Sequence, residues 1–183
     1  MNSTKVIRDT CGPISNRIGL SMLLLALICS ALTSFAVAQS EDKQTGAAVC
    51  TLDDGKQISA RYTPVPATRT GLPQDKVWAP GGSALTLFTE SSLMLGNTPI
   101  GVGAYTMYLV PGKKDWTLIV SKNVNVDQAY DQQQDLARAT MAIGTLGGQV
   151  PELRVTFGHT GPKKCELNVD FGKTKAWVEF SAI

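Results

Sequence analysis

Three aspartates in one polar stretch have the spacing best suited to metal chemistry. Asp127, Asp131 and Asp135 recur at every fourth position, so on a helix they would line one face. Three carboxylates could hold a calcium ion, but calcium sites add carbonyl ligands and a glycine-bent loop, which the intervening glutamines do not supply. We therefore interpret the stretch as a solvated loop or a single helical turn, and we assign no metal ligand and no cofactor.

His159 is the only histidine in the chain and the first residue to consider as a general base. Such a base needs a nucleophile or a substrate proton within reach, and a partner that orients the imidazole. No serine lies in a nucleophile-elbow motif. Asp53 and Asp54 precede Gly55 and are typical of a tight turn rather than of a carboxylate pair. The sequence therefore predicts no catalytic residue and a protein that is not an enzyme.

Aromatic side chains are the candidates for ligand binding, namely Trp177, Tyr108 and Trp78. Exposed rings could stack on sugars or on other small ligands. Trp177 shares a predicted strand face with Lys175 and Glu179, which favours its exposure. The alternative is that the tryptophans fill the core. The partner stays open among a small molecule, a glycan and a protein.

Two cysteines, Cys50 and Cys165, lie near the two ends of the region that follows the leader. Two thiols in an oxidising compartment are expected to pair when their backbones approach. A bond that closes so long a loop would stabilise the fold by up to about 4–5 kcal/mol through loop-closure entropy. The alternative is two separate buried thiols. Two cysteines and one histidine do not make a zinc tetrad.

The first 38 residues have the layout of a secretory signal peptide. Lys5, Arg8 and Arg17 precede an uncharged and mostly apolar run that reaches Ala36-Val37-Ala38. We expect a signal helix that is cleaved after Ala38, and a protein located in the periplasm or outside the cell. The alternative is an uncleaved anchor, because residues 18–40 are long enough to span a bilayer. That anchor would be the protein's membrane contact.

Residues 39–47 are expected to form a flexible leader and residues 48–183 a single domain. Without the predicted signal segment the chain holds equal numbers of basic and acidic residues, so it is close to neutral. A near-neutral chain with scattered charges does not point to nucleic acid as a partner.

Alternation of apolar and polar residues is the main structural signal after residue 48. It is clear over residues 103–110 and 152–158, and no segment sustains a helical period. Turn signals separate such segments, among them Asp53-Asp54-Gly55, Gly147-Gly148 and Gly172-Lys173. The pattern predicts an all-β fold of about nine or ten short strands, arranged as an antiparallel two-sheet sandwich of the jelly-roll or immunoglobulin-like type.

Several motifs resemble those of the domain-of-unknown-function family 2911. Their order and spacing over residues 49–181 match the family's, and they comprise Val77-Trp78, Pro99 to Gly103, Tyr105 to Pro111, Trp116 to Lys122 and Asp135 to Arg138. The resemblance implies a secreted bacterial β-sandwich of uncharacterised function. In one subset of the family a cysteine opens the domain and another lies on a late strand, and Cys50 and Cys165 match those places.

One loop departs from the family pattern. After Val-Trp the family typically carries Arg-Thr-Gly-Ala-Asn-Glu-Ala-Thr, a charged loop suited to binding, whereas residues 79–86 here lack its Arg, Asn and Glu. A site placed there in relatives would be absent from this chain. We expect an exported β-sandwich that acts as a non-catalytic binding or interaction module. The alternatives are a carbohydrate- or small-ligand-binding protein of the cell envelope and a membrane-anchored envelope protein.

Overall fold

The structure is a computed structural model that describes residues 45–67 and 71–183, so the predicted signal peptide lies outside the described residues. Short 3-10 turns occur at Pro80–Gly82 and Gln132–Gln134. No helix in the described ranges is long and apolar enough to cross a membrane. The strands are β1 (Gly46–Thr51), β2 (Gln57–Tyr62), β3 (Leu85–Thr89), β4 (Leu93–Leu95), β5 (Thr98–Ile100), β6 (Gly103–Pro111), β7 (Trp116–Ser121), β8 (Asp135–Gly161) and β9 (Lys164–Ala182).

These strands form one antiparallel sheet in the order β1-β2-β3-β6-β7-β8-β9-β4-β5. The first hairpin turns at Asp53-Asp54-Gly55 as predicted, and Gly55 has the positive φ of 84° that favours glycine there. The all-β and antiparallel predictions are confirmed. The predicted division into two separate sheets is not shown, because strand pairing connects all nine strands.

Two strands are much longer than the sequence predicted. β8 spans 27 residues and runs through Gly147-Gly148, and β9 spans 19 residues and runs through Gly172-Lys173. The prediction that Gly147-Gly148 and Gly172-Lys173 form turns is wrong. They lie in the middle part of the β8–β9 hairpin, where the register shifts on both sides of Val150. Glycine inside a strand often marks such an irregularity, and here it bends the hairpin without ending it.

A disulfide shows how far the sheet curls. Cys50 on β1 and Cys165 on β9 are bonded, with 6.3 Å between their Cα atoms. β1 and β9 are six strand spacings apart in the sheet order, which in a flat sheet would separate them by about 30 Å. The sheet therefore curls back until β1 meets β9, which is the seventh strand in the sheet order. The predicted pairing of the two cysteines is confirmed.

The main core lies on the concave side of the curled sheet, since alternate side chains of each strand point there. Its largest fully buried members include Ile58, Leu87, Met107, Trp116, Leu118 and Phe180. The opposite side of β3, β6 and β7 carries a smaller cluster of Ala84, Tyr108 and Ile119, against which Tyr130 packs. Both sides of this part of the sheet are therefore covered.

Candidate functional site

The candidate site is a cleft where β8 and β9 part. The two strands pair from their connecting turn back to Ala142 and Trp177. Beyond that point β8 pairs with β7 through Asp135–Met141, while the end of β9 pairs with β4. The separation leaves a cavity of about 550 Å³, which we name the β8–β9 cleft. It is lined by Met94, Gly96, Asn97, Thr98, Arg138, Ala139, Thr140, Val178, Glu179 and Ser181.

The β8 wall of the cleft carries the guanidinium of Arg138. Its Nε donates to Asp135 Oδ2 at 2.7 Å and its Nη2 donates to Tyr130 Oη at 2.5 Å. The Tyr130 hydroxyl in turn donates to the same Asp135 oxygen at 2.9 Å. Burial alone would lower the pKa of Arg138, but the hydrogen bond and the charge of Asp135 outweigh it and raise that pKa. Burial, reinforced by Asp135, also raises the pKa of Tyr130. The guanidinium is thus charged and fixed in position.

The β9 wall of the cleft carries the carboxylate of Glu179. Lys164 Nζ donates to its Oε1 at 2.7 Å, and the Thr160 hydroxyl donates to its Oε2 at 3.3 Å. Ser181 Oγ donates to Oε1 at 3.4 Å. The hydrogen bond from Lys164 is the main reason that the pKa of Glu179 lies below its ordinary value. Glu179 and Arg138 are 40% and 44% exposed, so both fixed charges stay accessible to a ligand.

Trp177, the first predicted binding residue, borders the closed end of the cleft. It pairs with Ala142 at the last rung before β8 and β9 separate. Its ring lies over Gly144, where a Cβ atom would come within 3.2 Å of ring atom Cζ3. The Lys175 ammonium lies 5.6 Å from the ring centroid on the same strand. The ring is half-buried and packs against its own sheet, because glycine leaves room for it.

The other two predicted binding residues pack against aromatic rings of the protein itself. Tyr108 is only 2% exposed, and its ring contacts that of Tyr130 at 5.1 Å, so the expectation that Tyr108 is exposed is wrong. The segment between β7 and β8 covers it. Trp78 is half-buried and meets Trp116 and Phe171 edge to face, with centroid distances of 6.3 and 5.2 Å. Both rings are used in packing within the protein.

The three spaced aspartates point to different partners. Asp131 accepts from the backbone N–H of Gln133 and caps the turn that follows, Asp127 accepts from the Ser83 hydroxyl, and Asp135 binds Arg138. This agrees with the interpretation as a loop with one helical turn. Within residues 45–67 and 71–183, no three side chains of the metal-ligating types lie together.

His159 meets an aspartate that the sequence had assigned to a turn. Its Nε2 lies 3.3 Å from Asp53 Oδ1, and the two side chains are 45% and 58% exposed. The backbone N–H of Asp53 also donates to the Pro162 carbonyl at 3.1 Å. The contact therefore joins the β1–β2 turn to the β8–β9 turn. It lies next to the disulfide, because Cys165 is the register partner of His159.

The fold and the cleft define an all-β protein with one curled antiparallel sheet and a charged opening between two of its strands. The chain matches the family model described as "Protein of unknown function (DUF2911)" over residues 58–180, and it belongs to that family. No curated protein and no solved structure matches the chain.

Sequence reasoning missed Arg138 and Glu179 as site residues. Each looks like an ordinary exposed charge on a strand, and the motif that contains Arg138 was used for the family resemblance and not as evidence of a site. They become neighbours of one cleft because β8 and β9 take different pairing partners, which is a long-range property of the fold.

Proposed function

We propose that the protein is an exported, non-catalytic binding module and that the β8–β9 cleft is its binding site. The observation that carries the proposal is the pair of opposite charges on the two strands that form the cleft. Arg138 and Glu179 are both accessible, and each is held by its own set of hydrogen bonds. Ligand sites typically combine such a cavity with a few convergent polar groups.

Prior fixation of the charged groups lowers the cost of binding. Immobilising a long side chain on association costs about 0.5–1.5 kcal/mol of free energy. In this cleft Asp135 and Tyr130 already hold Arg138, and Lys164 and Thr160 already hold Glu179. A ligand with complementary charges would therefore meet side chains that have lost most of that freedom.

Export is supported by the leader and by the disulfide. Disulfides persist in oxidising compartments, and Cys50 and Cys165 are 4% and 0% exposed in the core. N-terminal sequencing of the protein recovered from cells that express the full chain tests this step. The proposal requires a start at Gln39 in the periplasmic or extracellular fraction. Recovery of the uncleaved chain in the membrane fraction would support the anchored alternative instead.

We also infer that the two halves of the curled sheet face each other as the layers of a sandwich. The disulfide between β1 and β9 supports this, since it joins strands far apart in the sheet order. Aligned layers pack with about 10 Å between them. An experimental structure in which β1–β2–β3 and β9–β4–β5 do not face each other at that spacing would contradict the inference.

Ligand-dependent melting tests the binding step. A ligand that binds the folded state raises the melting temperature, and the rise grows with ligand concentration. The panel contains short peptides, oligosaccharides and small organic acids. Arg138→Gln and Glu179→Gln should each remove the stabilisation, measured against the variant's own melting temperature. Their matched controls are Arg61→Gln and Glu152→Gln, which change exposed residues that do not line the cleft. Stabilisation that survives both cleft substitutions would refute the proposed site.

A carbohydrate ligand is the second candidate, and the position of Trp177 favours it. An aromatic ring beside polar groups is a suitable platform for a sugar, and Trp177 lies two residues from Glu179 on the same strand face. Trp177→Ala should then abolish stabilisation by oligosaccharides. Unchanged stabilisation in that variant would exclude the ring from the site.

A further inference from the structure

We propose that the ligand of the β8–β9 cleft is an extended peptide segment, which adds as a short strand between β8 and β9. The inference rests on the proposed function, because it names the ligand class of the same site.

The cleft is bordered by strand segments with incomplete ladders. Arg138–Thr140 of β8 pair with β7 on one side, and Val178 and Glu179 of β9 lie between the rungs to β8 and those to β4. In the described part of the chain, no backbone hydrogen bond from outside the strands reaches these residues. Neighbouring residues of an antiparallel strand direct their N–H and C=O groups to alternate sides. Some of these groups therefore point into the cleft, where the main chain of an added strand can pair with them.

The size of the cleft fits a short strand. With strands about 4.8 Å apart, sheets about 10 Å apart and a rise of about 3.3 Å, one residue of a packed sheet occupies about 160 Å³. The cavity of about 550 Å³ therefore accommodates about three residues.

The two sides of the cleft specify an alternating side-chain pattern. Ala139 and Val178 are half-buried at the edge of the core, so a central apolar side chain would cover them. Arg138 and Glu179 lie on the opposite side, because side chains alternate along each strand. Of the two peptide residues that flank the apolar one, the residue that faces Arg138 would be acidic. The residue that faces Glu179 would be basic. The recognised segment therefore has a central apolar residue flanked by one acidic and one basic residue, in an extended conformation.

A blocked pentapeptide, Ser-Glu-Val-Lys-Ser with acetylated and amidated ends, is the probe. The protein is expressed from the full-length sequence and purified as the cell processes it. Titration calorimetry should show that replacing the central valine of the peptide with proline weakens binding about tenfold, since proline has no N–H to donate. Arg138→Gln and Glu179→Gln should each weaken binding about tenfold, whereas Arg61→Gln and Glu152→Gln should change it less than about twofold. Amide NMR signals of residues 138–140 and 178–179 should shift on titration.

The outcomes separate this inference from the proposed function. Equal binding of the valine and proline peptides would overturn strand addition. Binding of an oligosaccharide at the cleft, lost in Arg138→Gln, with no binding of the peptide, would overturn the peptide inference and leave the proposed function standing. If no compound binds and the cleft substitutions change nothing, both proposals fail.

Discussion

At the scale of single residues, two tyrosines in contact differ in what their hydroxyls bind. The Tyr108 hydroxyl is buried without a partner among the described residues. The Tyr130 hydroxyl donates to Asp135 and accepts from Arg138, which braces the β8 wall of the cleft. A buried hydroxyl without a partner costs about 1–3 kcal/mol, whereas a satisfied one stabilises by about 1 kcal/mol. The same substitution should therefore have opposite effects at the two positions.

Tyr108→Phe should raise the free energy of unfolding by about 1 kcal/mol, because it removes an unsatisfied polar atom without leaving a cavity. Tyr130→Phe, its matched control, should lower it by about 1 kcal/mol, because Asp135 and Arg138 each lose a hydrogen bond. Urea denaturation of the two variants measures both changes. Destabilisation by Tyr108→Phe would mean that its hydroxyl is bonded in solution.

Lys164 should control the ionisation of Glu179. The folded-state pKa of Glu179 is lowered below 4.5, so its contribution to stability is present above the unfolded-state pKa and is lost as the pH falls through the folded-state pKa. Lys164→Met should move the pKa of Glu179 upward and reduce this loss of stability in acid. Side-chain carboxyl NMR across a pH titration measures the shift. Lys163→Met is the control, because Lys163 is the adjacent lysine and its side chain forms no ion pair with a described residue. An unchanged pKa in Lys164→Met would contradict the assigned cause.

At the scale of elements, the turn at Pro80–Gly82 is built on two glycines with positive φ. Gly81 and Gly82 have φ angles of 72° and 80°, a backbone region that residues with a Cβ atom rarely adopt. A Cβ atom at Gly81 would also lie 2.9 Å from Val65, whereas none would be crowded at Gly82. The turn therefore depends on glycine at both positions.

Substitution of these glycines by alanine should destabilise the fold, and the loss of stability should be larger where the added Cβ atom is crowded. Gly82→Ala should destabilise by about 1–2 kcal/mol through its backbone conformation alone. Gly81→Ala should cost more than Gly82→Ala, because Val65 must also move. Gly148→Ala is the control with little expected loss, since its φ is not positive and no atom lies near the added Cβ. Urea denaturation midpoints measure the ranking. Equal effects at Gly81 and Gly82 would show that the Val65 contact is unimportant.

Sequence patterns predicted the elements that are specified by neighbouring residues. They did not predict the elements whose ends depend on pairing with a strand distant in the sequence. Asp53-Asp54-Gly55 specifies its hairpin through residues that favour one turn conformation, and the structure has it. Gly147-Gly148 reads the same way, yet β8 continues through it because β9 supplies a partner on both sides of the irregularity. Whether a glycine pair ends a strand or bends it depends on the strand opposite, which no local pattern records.

At the scale of the whole molecule, one covalent bond joins distant parts of the sheet. The sequence predicted the pairing of Cys50 with Cys165 because compartment and cysteine count leave few choices. The sequence did not predict the β8–β9 cleft, because the cleft forms where β8 pairs with β7 and β9 pairs with β4. Cys165 lies next to Lys164, whose ammonium binds Glu179 on the β9 wall of the cleft, so the turn that carries the disulfide also reaches the cleft. The two features can still be tested separately, because neither cysteine lines the cleft.

Removal of the disulfide should destabilise the fold and leave the cleft intact when folded. The bond closes a loop with a sequence separation of 115 residues, so Cys50→Ala with Cys165→Ala should lower the free energy of unfolding by about 4–5 kcal/mol. Thermal and urea denaturation measure the loss. Reductant should shift the unmodified protein towards the double variant and should not shift the variant itself. Native protein with two titratable thiols would contradict the bond. A double variant that folds but no longer binds the cleft ligand would show that the disulfide and the cleft are coupled.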